Sequence, residues 1–282
     1  VYKRQALVLT QFYWLCGFLR MSATGLSAQA TGEGDKGKSS QVLIQSAGLG
    51  VLLGCFVLLL QSPLLNIGLW FSDATPAVAQ AAKEYFQVRV WSAPAALLNL
   101  ALIGWLVGQQ AHGNIMRMQI IANLLNVVLD LLFVYVLDMG IAGVAWASVI
   151  AELSITIMSL LIIQRMGMLR FHLSGLEKGA FKQLISLNSN MLVRNLALQI
   201  CLAFITYKGT AMGELVGSTN AIILQFFTLI ALGLDGLAYA TEALVGEAKG
   251  RKSIREISSI VKDALIWSSL FAMGYSLLFW LA

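Results

Sequence analysis

Charge is what this sequence has least of. Asp, Glu, Lys and Arg make up 12% of its 282 residues, where soluble domains carry about 25%. With 58% hydrophobic residues and a mean hydropathy of +0.77, the chain has too little polar surface for a soluble domain. Proline is also scarce, three in all, so little interrupts a long helix. The three cysteines, Cys16, Cys55 and Cys201, lie in apolar runs without close spacing, which argues against a disulfide framework or a cysteine metal site. The two histidines, His112 and His172, sit far apart at loop edges. A membrane-embedded enzyme would need convergent His, Cys or paired carboxylates at ligand or nucleophile spacing, and the sequence offers none. Neither enzymatic activity nor a cofactor is expected. The net charge of +5 does not point to nucleic acid either, because it comes largely from Lys and Arg in short loops between apolar runs.

What the chain does have is long apolar runs, eight of them, each about 20 residues or more. They cover 6–30, 41–60, 90–108, 115–137, 141–163, 187–207, 216–245 and 254–282. The fold class is therefore an all-α polytopic membrane protein. Pro94 is expected to kink the third run near its start. The segment 64–76 reads as interfacial, with Trp70 at headgroup level, and 77–90 as an amphipathic lead-in. The longest non-spanning stretch, at 167–184, is the natural domain boundary. It separates a first lobe, 1–166, from a second, 185–282. The chain opens directly into an apolar run and closes inside one, so it is expected to be an internal stretch of a longer protein.

Alternating the loops puts twelve Lys and Arg on one side and three, Lys83, Arg89 and Lys208, on the other. The basic side is expected to be cytoplasmic, which places the loops near 31–40, 109–117, 164–184 and 246–255 there. Two of those loops echo each other. Gly32, Glu33, Lys38 and Ser39 match Gly246, Glu247, Lys252 and Ser253, about 214 residues on. Six spans lie between, so the simplest account is a duplicated six-helix unit, and parallel repeats of this kind are a transporter signature.

The most informative run is the fourth. Gln119, Asn123, Asn126 and Asp130 are spaced four, three and four apart, which puts them on one helix face. A polar stripe ending in a carboxylate is costly in lipid. It faces either a water-filled cavity or another helix, and an intramembrane acid points to function. Depth arithmetic sharpens this. At about 1.5 Å per residue, Asp130, Ser148 and Asn99 fall about 10–13 Å below the outer edge. Asn126 and Glu152 share a level about 16–18 Å down. A buried carboxylate is destabilised in low dielectric, and Asn and Ser donors offset that penalty. Binding H⁺ or Na⁺ would neutralise Asp130, and a cationic substrate could compete for the same carboxylate, which is the physical basis of antiport. No other metal site is indicated.

In the second lobe, Asp235, Tyr239 and Glu242 share a face, either lining a cavity or, for Glu242, simply solvated at a helix end. Arg194 is positioned to pair with Asp235 or Glu242, and Arg20 has the same structural reading, as ion pair or snorkelling cation. Gly50 and Gly54 form a small-xxx-small pair that suits helix packing better than function.

Three stretches carry a family resemblance: FLRMSATGLSAQATGEGD in the first run, NLLNVVLDLLFV in the fourth and LDGLAYATEALVGEAKG in the seventh. Together they resemble the multidrug and toxic compound extrusion (MATE) transporters, within them the DNA-damage-inducible protein F subfamily. The resemblance covers nearly the whole chain from about Ala6. It implies a MATE-type two-lobe bundle of parallel six-helix repeats, of which this stretch holds about helices two to nine of twelve. It further implies a monomeric antiporter in a bacterial-type inner membrane. Such a protein exports organic cations, drugs or other toxic compounds in exchange for H⁺ or Na⁺. The family's N-lobe network matches Asn126 and Asp130 four apart on one helix and Asn99 on the preceding helix. Ser148 stands where the family has a threonine, keeping the hydroxyl. Gln119, Asn123, Glu152, Asp235, Tyr239 and Glu242 are the further candidates for cavity lining. The acid most associated with the family, on its first helix, is outside this stretch. The alternative is a lipid or lipid-linked oligosaccharide flippase of the same superfamily. It would call for several cavity-facing cations for pyrophosphate, and only Arg20 and Arg194 are available.

Overall fold

The computed structural model describes residues 13–70, 76–168 and 178–281. Among these, the chain is helical throughout, and seven helices are long and apolar enough to cross a membrane. They are Lys36–Leu59, Ala79–Gly108, His112–Val136, Gly140–Arg165, Asn188–Ala211, Leu215–Gly250 and Ile254–Trp280. The eighth expected span is represented by α1 (Phe18–Glu33), and residues 6–12 at its start fall outside the described residues. So do 71–75 and 169–177, the core of the expected inter-lobe connector.

Local chemistry sets the first turn. α1 ends at Gly34, whose φ of +71° is the left-handed conformation that glycine adopts without a Cβ penalty. Asp35 then caps α2 (Lys36–Leu59), its side chain accepting the Lys38 backbone N–H at 3.0 Å. The Lys38 ammonium donates to Glu33 at 2.7 Å and holds that carboxyl below its usual range, with Gln29 adding a second N–H. A lowered carboxyl stabilises the fold above the ordinary glutamate range, and that contribution fades as pH falls through the lowered value. Both groups are accessible to solvent, so the pair is worth about 0–1 kcal/mol.

The segment expected to be interfacial begins within a short helix, α3 (Gln61–Trp70), separated from α2 by a turn at Leu60. The third span also differs from expectation. Helix begins at Pro76, and α4 (Pro76–Arg89) runs through a 3₁₀ turn at Val90–Ser92 into α5 (Ala93–Gly108). Pro94 causes the tightening: it has no N–H for the Val90 carbonyl, and its ring crowds the preceding turn. The span is thus Ala79–Gly108, and Arg89 lies inside it. α6 (His112–Leu131) ends in a π turn, Leu132–Val136, immediately after Asp130. α7 (Gly140–Arg165), α8 (Lys178–Ala211), α9 (Glu214–Gly250) and α10 (Ile254–Leu281) follow.

α5 is the centre of the first lobe, packed on α1, α2 and α7. Leu97, Leu102, Trp105 and Leu106 on it are fully buried, and Trp105 donates its indole N–H to the Ser39 carbonyl at 2.9 Å. Glycines let the backbones meet. A Cβ on Gly54 would lie 2.3 Å from Pro94 Cα, and one on Gly104 would lie 2.4 Å from the Arg20 carbonyl oxygen. Close approach brings hydroxyls onto carbonyls: Thr24 donates to Gly104 and Ser27 to Trp105, each at 3.0 Å. The Gln109 amide reaches Ser27, Thr31 and Ser39, each at 2.8 Å. In lipid, where apolar contact between helices gains little over lipid contact, such packing and hydrogen bonding hold the bundle. α6 and α8–α10 instead turn large apolar side chains outward, among them Tyr135, Ile200, Leu232 and Trp280.

The sequence echo meets itself in space, in a different register. α1 packs on α9 with Gly32 against the Glu247 carbonyl and Gly250 against the Gln29 carbonyl, a Cβ at either site falling 2.0 and 2.2 Å from those oxygens. Ala28 faces Gly246 beside them. The left-handed turn at Gly34 is repeated at Lys252, and the Asp35 cap on Lys38 is repeated by Ser253 accepting the Glu256 N–H at 3.4 Å. The equivalent positions (Gln29 and Glu247, Gly32 and Gly250, Gly34 and Lys252, Asp35 and Ser253, Lys38 and Glu256) are 218 residues apart, one helical turn more than the sequence match suggests. The contact has a local two-fold: each residue touches the counterpart of its partner's neighbour, as in isologous interfaces.

Two stability measurements on the full-length protein follow. Gly54→Ala and Gly104→Ala should each lower the thermal midpoint by a few degrees, reflecting about 1–3 kcal/mol of overpacking. Gly48→Ala, where a Cβ would meet nothing within 4 Å, should leave it unchanged. At the α1–α9 seam, Gly32→Val and Gly250→Val should be equally damaging. Markedly unequal losses would break the proposed symmetry.

Candidate functional site

Asn126 and Asp130 stand one turn apart on α6, both half-buried. Asn126 Nδ2 and Asp130 Oδ1 are withdrawn from solvent and make no hydrogen bond among the described residues. Of the stripe's other members, Gln119 is half-buried, whereas Asn123 is exposed. The stripe thus divides, with its Asp130 end enclosed. α6 packs mainly on α7, and the π turn follows Asp130 directly. Single-turn π segments recur at functional sites because they shift the helix register locally.

Asn99 is buried on α5, and its amide turns to α7. Its Nδ2 donates to the Glu152 carbonyl at 2.9 Å, and its Oδ1 accepts from Thr156 Oγ1 at 2.8 Å. Thr156 also reaches the Glu152 carbonyl at 3.2 Å. The Glu152 side chain pairs with Arg89, whose other terminal nitrogen donates to Ser92 Oγ. Both partners are largely enclosed, with side chains 13% and 20% exposed. Ser148 lies on α7 one turn from Glu152, half-buried. Depth alone grouped Asn99 with Asp130. The hydrogen bonds join Asn99 to Glu152 and Thr156 instead.

Arg89 and Thr156 are the residues that sequence reasoning missed. Thr156 had a signal, being one turn beyond Glu152 on the same face. Arg89 had one too, since nothing between Pro76 and Pro94 breaks a helix. Tyr13 and Tyr85, which neighbour the pair, had none.

The second acidic group gathers at the meeting of α1, α8 and α9. The Arg20 guanidinium stacks 3.3 Å from the Tyr239 ring centroid. Glu242 lies in the field of both Arg20 and Arg194. Arg194 also contacts Met21 Sδ at 3.5 Å, and Asp235 is exposed. At the basic end of the seam, Gln110 and Arg251 both bond to Glu247, and Arg251 reaches Glu256 at 3.3 Å.

Comparison with known proteins accords with this architecture. The MatE family's model matches residues 6–132. DNA damage-inducible protein F of Escherichia coli (strain K12) is 34% identical over 275 residues, which are 96% of this chain and 60% of that protein. Protein DETOXIFICATION 43 of Arabidopsis thaliana is 26% identical over 81% of this chain and 43% of its own length. Multidrug and toxin extrusion protein 1 of Oryctolagus cuniculus is 23% identical over 83% of this chain and 42% of its own length. The chain therefore spans about 40–60% of the length of these relatives. Among solved structures, a MATE protein in complex with MaD5 superposes with a TM-score of 0.85 at 20% identity, covering 97% of this chain and 63% of that one. A MOP superfamily transporter from Pyrococcus furiosus, described as having a binding pocket of reverse polarity, gives 0.85 at 19% identity over 96% and 62%. With a family-model match over residues 6–132, a 34% identity that runs over 96% of the chain and a shared fold, this multi-pass membrane chain is similar to the MatE family and has the fold of the MATE structures.

Proposed function

We propose that the chain is the larger part of a secondary antiporter that exports organic cations, drugs or toxic compounds in exchange for H⁺ or Na⁺. Asp130 and Asn126 form its coupling-ion site. In this reading residues 1–166 are the N-lobe and 185–282 the beginning of the C-lobe, in a bacterial-type inner membrane. The observation that supports it best is the pair of unsatisfied atoms, Asp130 Oδ1 and Asn126 Nδ2, one turn apart within a membrane helix. A carboxylate in lipid without a partner is unstable unless something neutralises it. A proton or Na⁺ does so, and Asn126 can offer its carbonyl oxygen to either. Na⁺ binds that oxygen, and a protonated carboxyl donates its O–H to it. Neutralisation removes a charge next to the π turn, where the helix is easiest to reshape.

Asn99 serves this site indirectly. Both ends of its amide are engaged by α7, so it fixes α5 against α7 rather than binding an ion directly. Ser148 lies on the same helix, one turn from Glu152. The flippase alternative loses ground on the cations. Arg20 stacks on Tyr239 with Glu242 in its field and is poorly placed to hold a pyrophosphate.

The test uses the full-length protein in proteoliposomes. Asp130→Asn should reduce ion-driven exchange of a fluorescent cation at least about tenfold, equivalent to about 1.4 kcal/mol. Asp130→Glu should retain part of it. Exchange at the wild-type rate in Asp130→Asn would remove Asp130 from the coupling site. The effect on a Na⁺ gradient, compared with a pH gradient, identifies the ion.

A further inference from the structure

The junction of α4, α5 and α7 holds polar groups that the proposed ion site does not use. Arg89 meets Glu152 end-on: one guanidinium nitrogen, Nη2, takes Glu152 Oε1, while Nη1 turns away to Ser92. A pair serving structure alone would favour the two-pronged geometry that engages both carboxylate oxygens. Here Glu152 Oε2 is out of solvent and accepts no hydrogen bond among the described residues. Beside it stands Tyr13, flanked by Arg89, Glu152, Ser92 and Tyr85. The Tyr13 hydroxyl is equally enclosed, and no hydrogen bond of good geometry reaches it. Its ring centroid is 5.8 Å from the Arg89 guanidinium carbon, so a cation already lies within reach of that aromatic face. The backbone next to Arg89 is the 3₁₀ turn at Val90–Ser92, the one interruption in a 30-residue span.

These features describe an acceptor with an unused lone pair, an aromatic wall and an internal cation that engages half of the carboxylate. We propose that Glu152 and Tyr13 form a binding pocket for a protonated amine, with Arg89 as the built-in competitor for the same carboxylate. The class of ligand follows from the unmet hydrogen bond. Oε2 can only accept, so the incoming cation must carry an N–H. A quaternary ammonium or a phosphonium offers charge and an aromatic contact but nothing to donate. A protonated amine gives Oε2 its missing N–H, lays its alkyl groups on the Tyr13 ring and displaces Arg89 toward Ser92, which it already contacts. Asn99 and Thr156, holding the Glu152 carbonyl, keep the carboxylate's helix in place during that exchange. The pocket is separate from Asp130: it rests on the reading that the protein carries organic cations, and it names the kind of cation.

The experiment is a binding titration on purified full-length protein at pH 7 with two matched probes. One is N,N-dimethyl-1-naphthylmethylamine, protonated at that pH. The other is its N-methyl quaternary salt. Wild type should bind the amine roughly tenfold more tightly than the salt, the size expected of one hydrogen bond to a charged group. Arg89→Gln should tighten amine binding, because the competitor is gone, whereas a purely structural pair predicts weakening. Removing one partner of an enclosed pair risks the fold, so the decisive variant removes both charges. Arg89→Gln/Glu152→Gln should bind the amine no better than the quaternary salt. Equal affinity of wild type for the two probes, or an undiminished preference for the amine in the double variant, overturns the pocket while leaving cation transport standing. A wild type that binds neither probe overturns both.

Discussion

A polar group inside a bilayer has no water to fall back on. Each must find a partner within the protein, and that constraint accounts for most of this structure. Thr24, Ser27 and Gln109 spend their hydrogen bonds on neighbouring backbones and hydroxyls, and the glycines of α5 permit it by letting those backbones come close. Because the rule is obeyed so widely, its exceptions are informative. Among the described residues, the buried polar atoms left unpaired fall on Tyr13, Gln45, Ser46, Asn126, Asp130, Glu152 and Asn188. Four of these seven belong to the two sites argued above. Asn188 already uses its oxygen to accept from Ser22 at 2.7 Å.

The same constraint explains the seam between α1 and α9. Two helices that carry charged loops at their ends can approach closely only where side chains vanish, so Ala28, Gly32, Gly246 and Gly250 line the contact. The two-fold geometry then brings the repeated turns side by side. It also gathers Gln110, Arg251 and Glu256 around Glu247 at the basic end. The seam is thus tight at one end, while the Arg20, Tyr239 and Glu242 group sits further along α1 and α9.

Much of the fold was legible in the sequence because apolar length is nearly sufficient in lipid. Span positions followed from runs of about 20 residues, and Pro94 marked its own disturbance. Three readings failed for physical reasons. Arg89 was read as part of an amphipathic lead-in and counted with the outer loops, yet Glu152 makes the same charge tolerable inside a span. The repeat was aligned on identical letters, Gly-Glu on Gly-Glu, whereas the backbone aligns by helix packing and by the left-handed turn, one helical turn away. Residue depth placed Asn99 with Asp130, but depth carries no azimuth, and the Asn99 amide points to α7. At the candidate site, the identity of Asp130 as an anomaly was readable from spacing alone. The partnership of Glu152 with Arg89 was not, since it joins residues 63 apart.

Asp130 and Glu152 therefore occupy opposite electrostatic conditions on adjacent helices. Glu152 has an internal cation, and Asp130 has none among the described residues. A ligand reaching Glu152 must outcompete Arg89, so affinity there depends on what the ligand offers beyond charge. A ligand reaching Asp130 meets no competitor, so charge alone suffices and an ion as small as H⁺ or Na⁺ is enough. Selectivity for substrate and indifference to all but charge in the coupling ion are what an antiporter must combine. In the proposed antiporter, α6 and α7, packed against each other, would carry one requirement each. The π turn after Asp130 lies at the end of α6 that leads into α7, and Gly143 on α7 abuts Phe133 within that turn. A change of charge at Asp130 that reshapes the turn would press on α7 through this contact, and α7 is the helix that carries Glu152.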